Sequence, residues 1–132
     1  MTIGNYTVQK MLGQGGMASV YLANHKLLGN KVAIKILSED YLSNKNIRGR
    51  FLFEAKNLAS MNHQNIIKVT DLIDEQNYVA FVMEYVEGET LKEYIDREGP
   101  LNDAEIKNIF LQMLDAVGYV HEQKLIHRDI KP

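Results

Sequence analysis

The stretch LGQGGMASV, residues 12–20, constrains this chain more than any other, because strand-forming runs flank it on both sides. YTVQKML (residues 6–12) and ASVYLANH (residues 18–25) are rich in β-branched and aromatic residues, so the expected unit is strand, glycine-rich turn, strand. A dinucleotide-binding loop opens a helix after its strand, yet ASVYLA continues as strand; a Walker-type loop needs Gly-Lys-Ser/Thr, which is absent. Gly13, Gly15 and Gly16 permit a tight turn and let backbone N–H groups approach an anion. Taken alone they serve a plain hairpin turn equally well. A glycine loop between antiparallel strands suits a different device, a flap lying over a nucleotide.

The remaining pattern supplies a scaffold for such a flap. KVAIKIL (residues 31–37) reads as a third strand after a turn at Gly29 and Asn30. From Asn46 the period lengthens, with Ile47, Phe51, Leu58 and Met61 on one stripe, predicting a helix of about four turns that NHQN (residues 62–65) ends. IIKVTDLID and YVAFVMEYV, separated by EQN, predict a hairpin that completes a five-stranded antiparallel sheet. EYVEGET is the one hinge-like place. Beyond it TLKEYIDREG predicts a short helix stopping at Gly99, and Asn102 with Glu105 forms a capping-box pattern that opens a long helix. Ile106, Ile109, Phe110, Met113, Leu114, Val117 and Val120 give that helix one apolar face.

Composition removes several classes of function. With 132 residues, 45% of them hydrophobic, the chain can bury a real core. A net charge of −2 offers no global electrostatic case for nucleic acid or an anionic membrane, so any bound anion must be held locally. The absence of cysteine excludes disulfides, thiolate metal sites and a cysteine nucleophile, and is compatible with a reducing cytoplasm. His25, His63, His121 and His127 lack metal-site spacing, so they are read as ordinary and no metal site is expected within the chain. No run long enough for a membrane span occurs, and no membrane contact is expected from this segment.

Two charged residues stand out against this background. On the third strand Val32, Ile34 and Ile36 face one side while Ala33, Lys35 and Leu37 face the other, so Lys35 is either an edge charge or a functional cation. Glu54 falls three after Phe51 and four before Leu58, and its carboxylate is expected to point inward with them. An inward carboxylate without a cation is costly, so the two are expected to pair. Such a pair can orient a phosphate: the ammonium meets the oxygen and the glutamate aims the flexible lysine stem.

At this point the residues resemble a known family over the whole chain, the amino-terminal half of a eukaryotic-type protein kinase domain. The pattern G-x-G-x-x-G-x-V is met at Gly13, Gly15 and Val20, V-A-I-K at Val32, Ala33, Ile34 and Lys35, the helix glutamate at Glu54, and H-R-D at His127, Arg128 and Asp129. GQGGMASVYLA, HQNII and VMEYVEGETL look most like the bacterial serine/threonine kinases of this type. The resemblance implies an α+β fold: an N-lobe over residues 1–86, and residues 87–132 as the first two helices of an incomplete C-lobe ending in the catalytic loop. It also implies ATP and Mg2+ as cofactors and protein hydroxyls as substrates.

By the same resemblance Leu12, Gly13, Gln14, Gly15, Gly16, Met17, Ala18, Ser19 and Val20 cover the ATP phosphates, and Lys35 contacts the α and β phosphates while Glu54 holds it. Val20 and Ala33 roof the adenine, Met83 is the gatekeeper, and the backbone of Glu84 and Val86 meets the adenine edge. Asp129 is the catalytic base, Arg128 and His127 shape its loop, and Lys131 lies beside the transferred phosphate, as in serine/threonine kinases. One departure is Ala18, which replaces the third glycine. The other is length: the loop asparagine is expected five positions after Asp129, beyond Pro132, as are the Asp-Phe-Gly and the remaining C-lobe helices.

Truncation in the catalytic loop carries its own expectations. The 132-residue polypeptide is expected to lack kinase activity by itself. The apolar face of the helix over residues 103–122 needs cover, expected from self-association or from folding back on the sheet. A cytoplasmic location is expected, with a membrane anchor later in the parent left open. The competing reading is a non-catalytic kinase-like module that binds a nucleotide or a partner.

Overall fold

The computed structural model describes residues 1–126 and 130–131, so His127, Arg128 and Asp129 lie outside the described residues. It contains strands β1 (Thr2–Ile3), β2 (Tyr6–Gln14), β3 (Ala18–His25), β4 (Lys31–Leu37), β5 (Val69–Asp74) and β6 (Val79–Glu84). Its helices are α1 (Lys45–Ser60), α2 (Leu91–Glu98) and α3 (Asp103–Glu122), with a 3-10 turn at Glu39–Tyr41. Two compact units result, Met1–Met61 with Ile67–Tyr85, and Asn62–Ile66 with Val86–Pro132.

The first unit is one antiparallel sheet of order β1-β2-β3-β4-β6-β5 with α1 on one face. The alternation expected along β4 is present. Val32 and Ile34 join a cluster with Ile3, Tyr6, Ala23 and Val82, while Leu37 joins one with Phe51 and Ala55 of α1 and Val79 and Phe81 of β6. The expected count of five strands is corrected to six. Thr2 and Ile3 pair with Thr7 and Tyr6 after Gly4, at φ 50°, reverses the chain. A two-residue strand has no periodicity of its own to reveal it, yet its Ile3 is buried in the first cluster.

Polar contacts tie the outer strands to this frame. The Tyr6 hydroxyl donates to Asp71 Oδ2 at 3.0 Å, joining β2 to β5, and burial followed by that carboxylate pushes the phenol pKa up. The Asn44 side chain caps α1 by accepting from the N–H groups of Asn46 and Ile47, each at 3.1 Å. Arg48 on α1 ion-pairs with Asp74 at the end of β5.

In the second unit both helices open on capping boxes. Asn102 and Glu105 exchange the expected bonds, each at 2.9 Å, and Thr90 with Glu93 does the same for α2, a box missed in the sequence reading. Gly99, at φ 87°, ends α2 by donating to Ile95 O at 2.8 Å. The Tyr94 hydroxyl, then the Asn102 N–H, hold the Glu105 carboxyl below its usual range. A lowered carboxyl favours the fold above its unfolded value, and that support is lost as pH falls through the folded value. Asn102→Ala is expected to destabilise α3 by about 1 kcal/mol, read as a lower urea midpoint by circular dichroism.

Residues Asn62–Ile66 dock on α3. The Asn62 N–H donates to the Tyr119 hydroxyl, the Asn65 side chain donates to Gln112 Oε1, and His63 Nε2 lies against Asp115 Oδ2, all at 3.0 Å. Because His63 Nδ1 accepts from the Asn65 N–H at 3.0 Å, Nε2 is the nitrogen that donates to Asp115. A histidine read as ordinary is thus a bridge to a helix some fifty residues away in the chain, which local spacing has no means of showing. On α3 itself Ile106, Phe110, Met113 and Leu114 are exposed, and Ile109, Val117 and Val120 are half-buried. Among the described residues no helix is long and apolar enough to cross a membrane.

Candidate active site

Lys35 and Glu54 meet as the sequence predicts. β4 presents the lysine on the face that α1 covers, and Nζ lies 2.7 Å from Glu54 Oε1. Val20 on β3 and Phe81 on β6 are the register partners of Lys35, so the cation sits in the middle of the sheet, directly across from the base of the glycine hairpin. Its ammonium lies 5.5 Å from the Phe81 ring centroid and 5.9 Å from that of Phe51, within the range of cation–π attraction. The sequence reading missed these two rings. Their signal was present in the spacing, since Phe51 stands three residues before Glu54 on the same helix face.

The depth of the pair differs from expectation. Glu54 was predicted to be buried, but its side chain is 47% exposed and that of Lys35 28%. The stripe through Phe51 and Leu58 gave the right direction, but the buried centre of the helix is Phe51 with Ala55, and Glu54 sits on its flank. A pair this open to water contributes only about 0–1 kcal/mol to stability. Its consequence is positional: the lysine is held at one place on the sheet while its charge stays reachable.

The glycine hairpin closes tightly. Gln14 pairs with Ser19 and Gly13 with Val20, and the Gly15 N–H donates to Ala18 O at 2.8 Å. That N–H is therefore engaged in the turn rather than free for an anion. A Cβ on Gly15 would lie 3.2 Å from Ala18 O, so glycine is favoured there by close approach; at Gly13 and Gly16 a Cβ would meet nothing within 4 Å, leaving open space beside the loop. Met17 O accepts from the Ser38 N–H at 2.9 Å, which ties the loop to the end of β4. Ala18, the departure from the glycine pattern, is buried against the cluster that holds Leu37 and Phe51, so its methyl group has a packing role. Leu12 and Met17 are exposed apolar side chains of the hairpin.

The other singled-out residues are placed as follows. Ala33 is buried, two residues before Lys35 on β4, and lies between Leu22 of β3 and Met83 of β6. Met83 is half-buried and packs against the α1-facing cluster. Glu84 donates its N–H to Lys68 O at 3.0 Å and accepts from the Lys68 N–H through Oε1 at 2.9 Å. Val86 is exposed and belongs to the second unit, as does the exposed Lys131. Asp129 lies outside the described residues.

This donor set fits a phosphate group: one aimed cation, open space beside Gly13 and Gly16 in the hairpin that precedes its register partner Val20, and the small Ala33 two residues before it on β4. Among the described residues no group of three or more His, Cys, Asp or Glu is placed to hold a metal ion.

Residues 6–132 match the model of the protein kinase domain. The chain is 46% identical over 129 residues to the serine/threonine-protein kinase PrkC of Bacillus subtilis, covering 98% of this chain and 20% of that protein. It is 38% identical over 130 residues to the carbon catabolite-derepressing protein kinase of Saccharomyces cerevisiae, covering 98% of this chain and 20% of the relative. The chain thus spans about a fifth of the length of these relatives. The matched residues include the glycine hairpin, Lys35 and Glu54, and the match leaves one conclusion: this chain belongs to the protein kinase family.

Proposed function

We propose that these residues form the ATP-binding part of a serine/threonine protein kinase, which transfers the γ-phosphoryl group of ATP to hydroxyls of protein substrates. The observation that carries this reading is the 2.7 Å contact between Lys35 and Glu54, directly across the sheet from the glycine hairpin. Phosphoryl transfer is chiefly a matter of positioning and charge neutralisation, and a strand lysine held by a helix glutamate supplies both. In this reading residues 13–20 lie over the phosphates, Lys35 meets the α and β phosphates, and Val20 and Ala33 roof the adenine. Met83 lines the back of the site, and the backbone of Glu84 and Val86 meets the base edge. Asp129 takes the proton of the substrate hydroxyl, with Lys131 beside the transferred group. Residues 1–86 form the N-lobe and residues 87–132 begin the C-lobe, in a cytoplasmic enzyme.

ATP at about a hundredfold over its Kd is expected to stabilise the chain by about 2.7 kcal/mol, read as a rise in Tm that Lys35→Met removes. A chain that melts at one temperature with and without ATP would overturn the nucleotide reading. Mg2+ would supply charge neutralisation at the phosphates; the residues that would hold it in the family, the loop asparagine and the Asp-Phe-Gly aspartate, are not among residues 1–132. The 132-residue polypeptide alone is therefore expected to transfer no phosphate. Incorporation of γ-phosphate that disappears in Asp129→Asn would contradict this. The exposed apolar side chains of α3 favour self-association of that polypeptide, and a monomer in light scattering with α3 uncovered would count against it.

A further inference from the structure

Helix α1 departs from ordinary helix design three times on its outward face. Gly49 stands in the second turn, where glycine is among the poorest residues, and no neighbour requires it: a Cβ there would meet nothing within 4 Å. Phe53, one turn further on, is 64% exposed. Lys45 and Arg50 occupy the first half of the helix, where the macrodipole disfavours cations, and the first turn carries no acidic residue. Together with Asn46 these residues line a shallow groove of about 440 Å³.

The charge of the groove is uncompensated. Arg48 is paired with Asp74, but neither Lys45 nor Arg50 forms an ion pair among the described residues. Asn44 already caps the N–H groups of Asn46 and Ile47, so the preference for an anion comes from the side chains of this face and not from the helix end. Local departures gathered at one place, with no gain in folding, point to function. A missing side chain makes room, an exposed ring offers apolar contact, and two cations flank both.

We infer that this face docks an acidic segment of a partner protein, which seats one apolar side chain over Gly49 against Phe53 and sets carboxylates against Lys45 and Arg50. The cations exclude a basic partner, and the ring with its groove calls for more than charge. Because Glu54 directly follows Phe53, the occupant grips α1 beside the residue that holds Lys35; only this consequence rests on the nucleotide reading.

The test uses the whole chain, isotopically labelled, with a synthetic Asp/Glu peptide carrying one central leucine and the same peptide with that leucine replaced by glutamate. The leucine peptide is expected to shift the backbone amides of Gly49, Arg50 and Phe53, and to bind at least about tenfold tighter than its all-acidic control. Gly49→Gln fills the groove with a good helix former: Tm is expected to rise by about 2–4 °C while affinity for the leucine peptide falls at least about tenfold. Lys45→Glu combined with Arg50→Glu is expected to abolish binding without lowering Tm. Equal binding of the two peptides, shifts confined to other residues, or wild-type affinity in Gly49→Gln would each overturn the inference. So would concentration-dependent shifts of the same amides without peptide, which would assign the groove to a second copy of the chain. Lys35→Met leaves the groove intact and is expected to bind the peptide normally, which separates this result from that of the nucleotide test.

Discussion

Phe81→Ala is expected to destabilise the first unit by about 3–5 kcal/mol, measured by urea unfolding. Phe81 is among the largest fully buried side chains, 1% exposed, and its ring centroid lies 5.1 Å from that of Phe51, which joins β6 to α1 through the cluster containing Leu37, Ala55 and Val79. Truncation removes most of a buried ring and leaves a cavity between a sheet and a helix that are both held by other contacts, so collapse is poor. Against a total stability of about 5–15 kcal/mol the loss is decisive. Phe81→Leu keeps most of the volume and is expected to lose about 1–2 kcal/mol. Equal and small losses for both variants would mean that the α1-facing cluster does not hold the unit together.

The second large effect concerns chemistry. In an active kinase chain that carries these residues and the Mg2+-binding segments, Lys35→Met is expected to slow phosphoryl transfer by about 10²–10³-fold, with the fold unchanged, because a partly exposed cation contributes little to stability. Glu54→Gln is expected to be milder, about tenfold, because the ammonium keeps its place above the Phe51 and Phe81 rings when the carboxylate charge is gone. Transfer rates under saturating ATP decide between them. If the glutamine variant matches the methionine variant, the rings do not position the lysine and the carboxylate does so alone.

The legible parts of this molecule are those whose cause is local. The alternation of Val32, Ile34 and Ile36 against Ala33, Lys35 and Leu37 requires only the strand period, and the start of α3 requires only Asn102 and Glu105 three residues apart. The direction of Glu54 followed from the helix period, but its depth depended on which residues form the buried centre of α1, and the small Ala55 gave little sign that it is one of them. β1 exists through its pairing with Tyr6 and Thr7. The bond from His63 to Asp115 exists through a chain reversal across two strands and two helices. For the tail the sequence is the sole witness, since Asp129 lies outside the described residues.

The anchoring of the glycine hairpin bears on how a nucleotide is received. Ala18 is rooted in the core, Met17 O is bonded to Ser38, and the turn from Gly15 to Ala18 is already closed. A long slack loop pays out backbone freedom at every residue when a ligand orders it. Here most of that ordering is completed by folding, which leaves only the tip around Gly16 to adjust. In the proposed nucleotide reading the hairpin is a short, stiff awning over the phosphates, so its closure is a small movement and the affinity it lends is only slightly discounted by lost chain entropy.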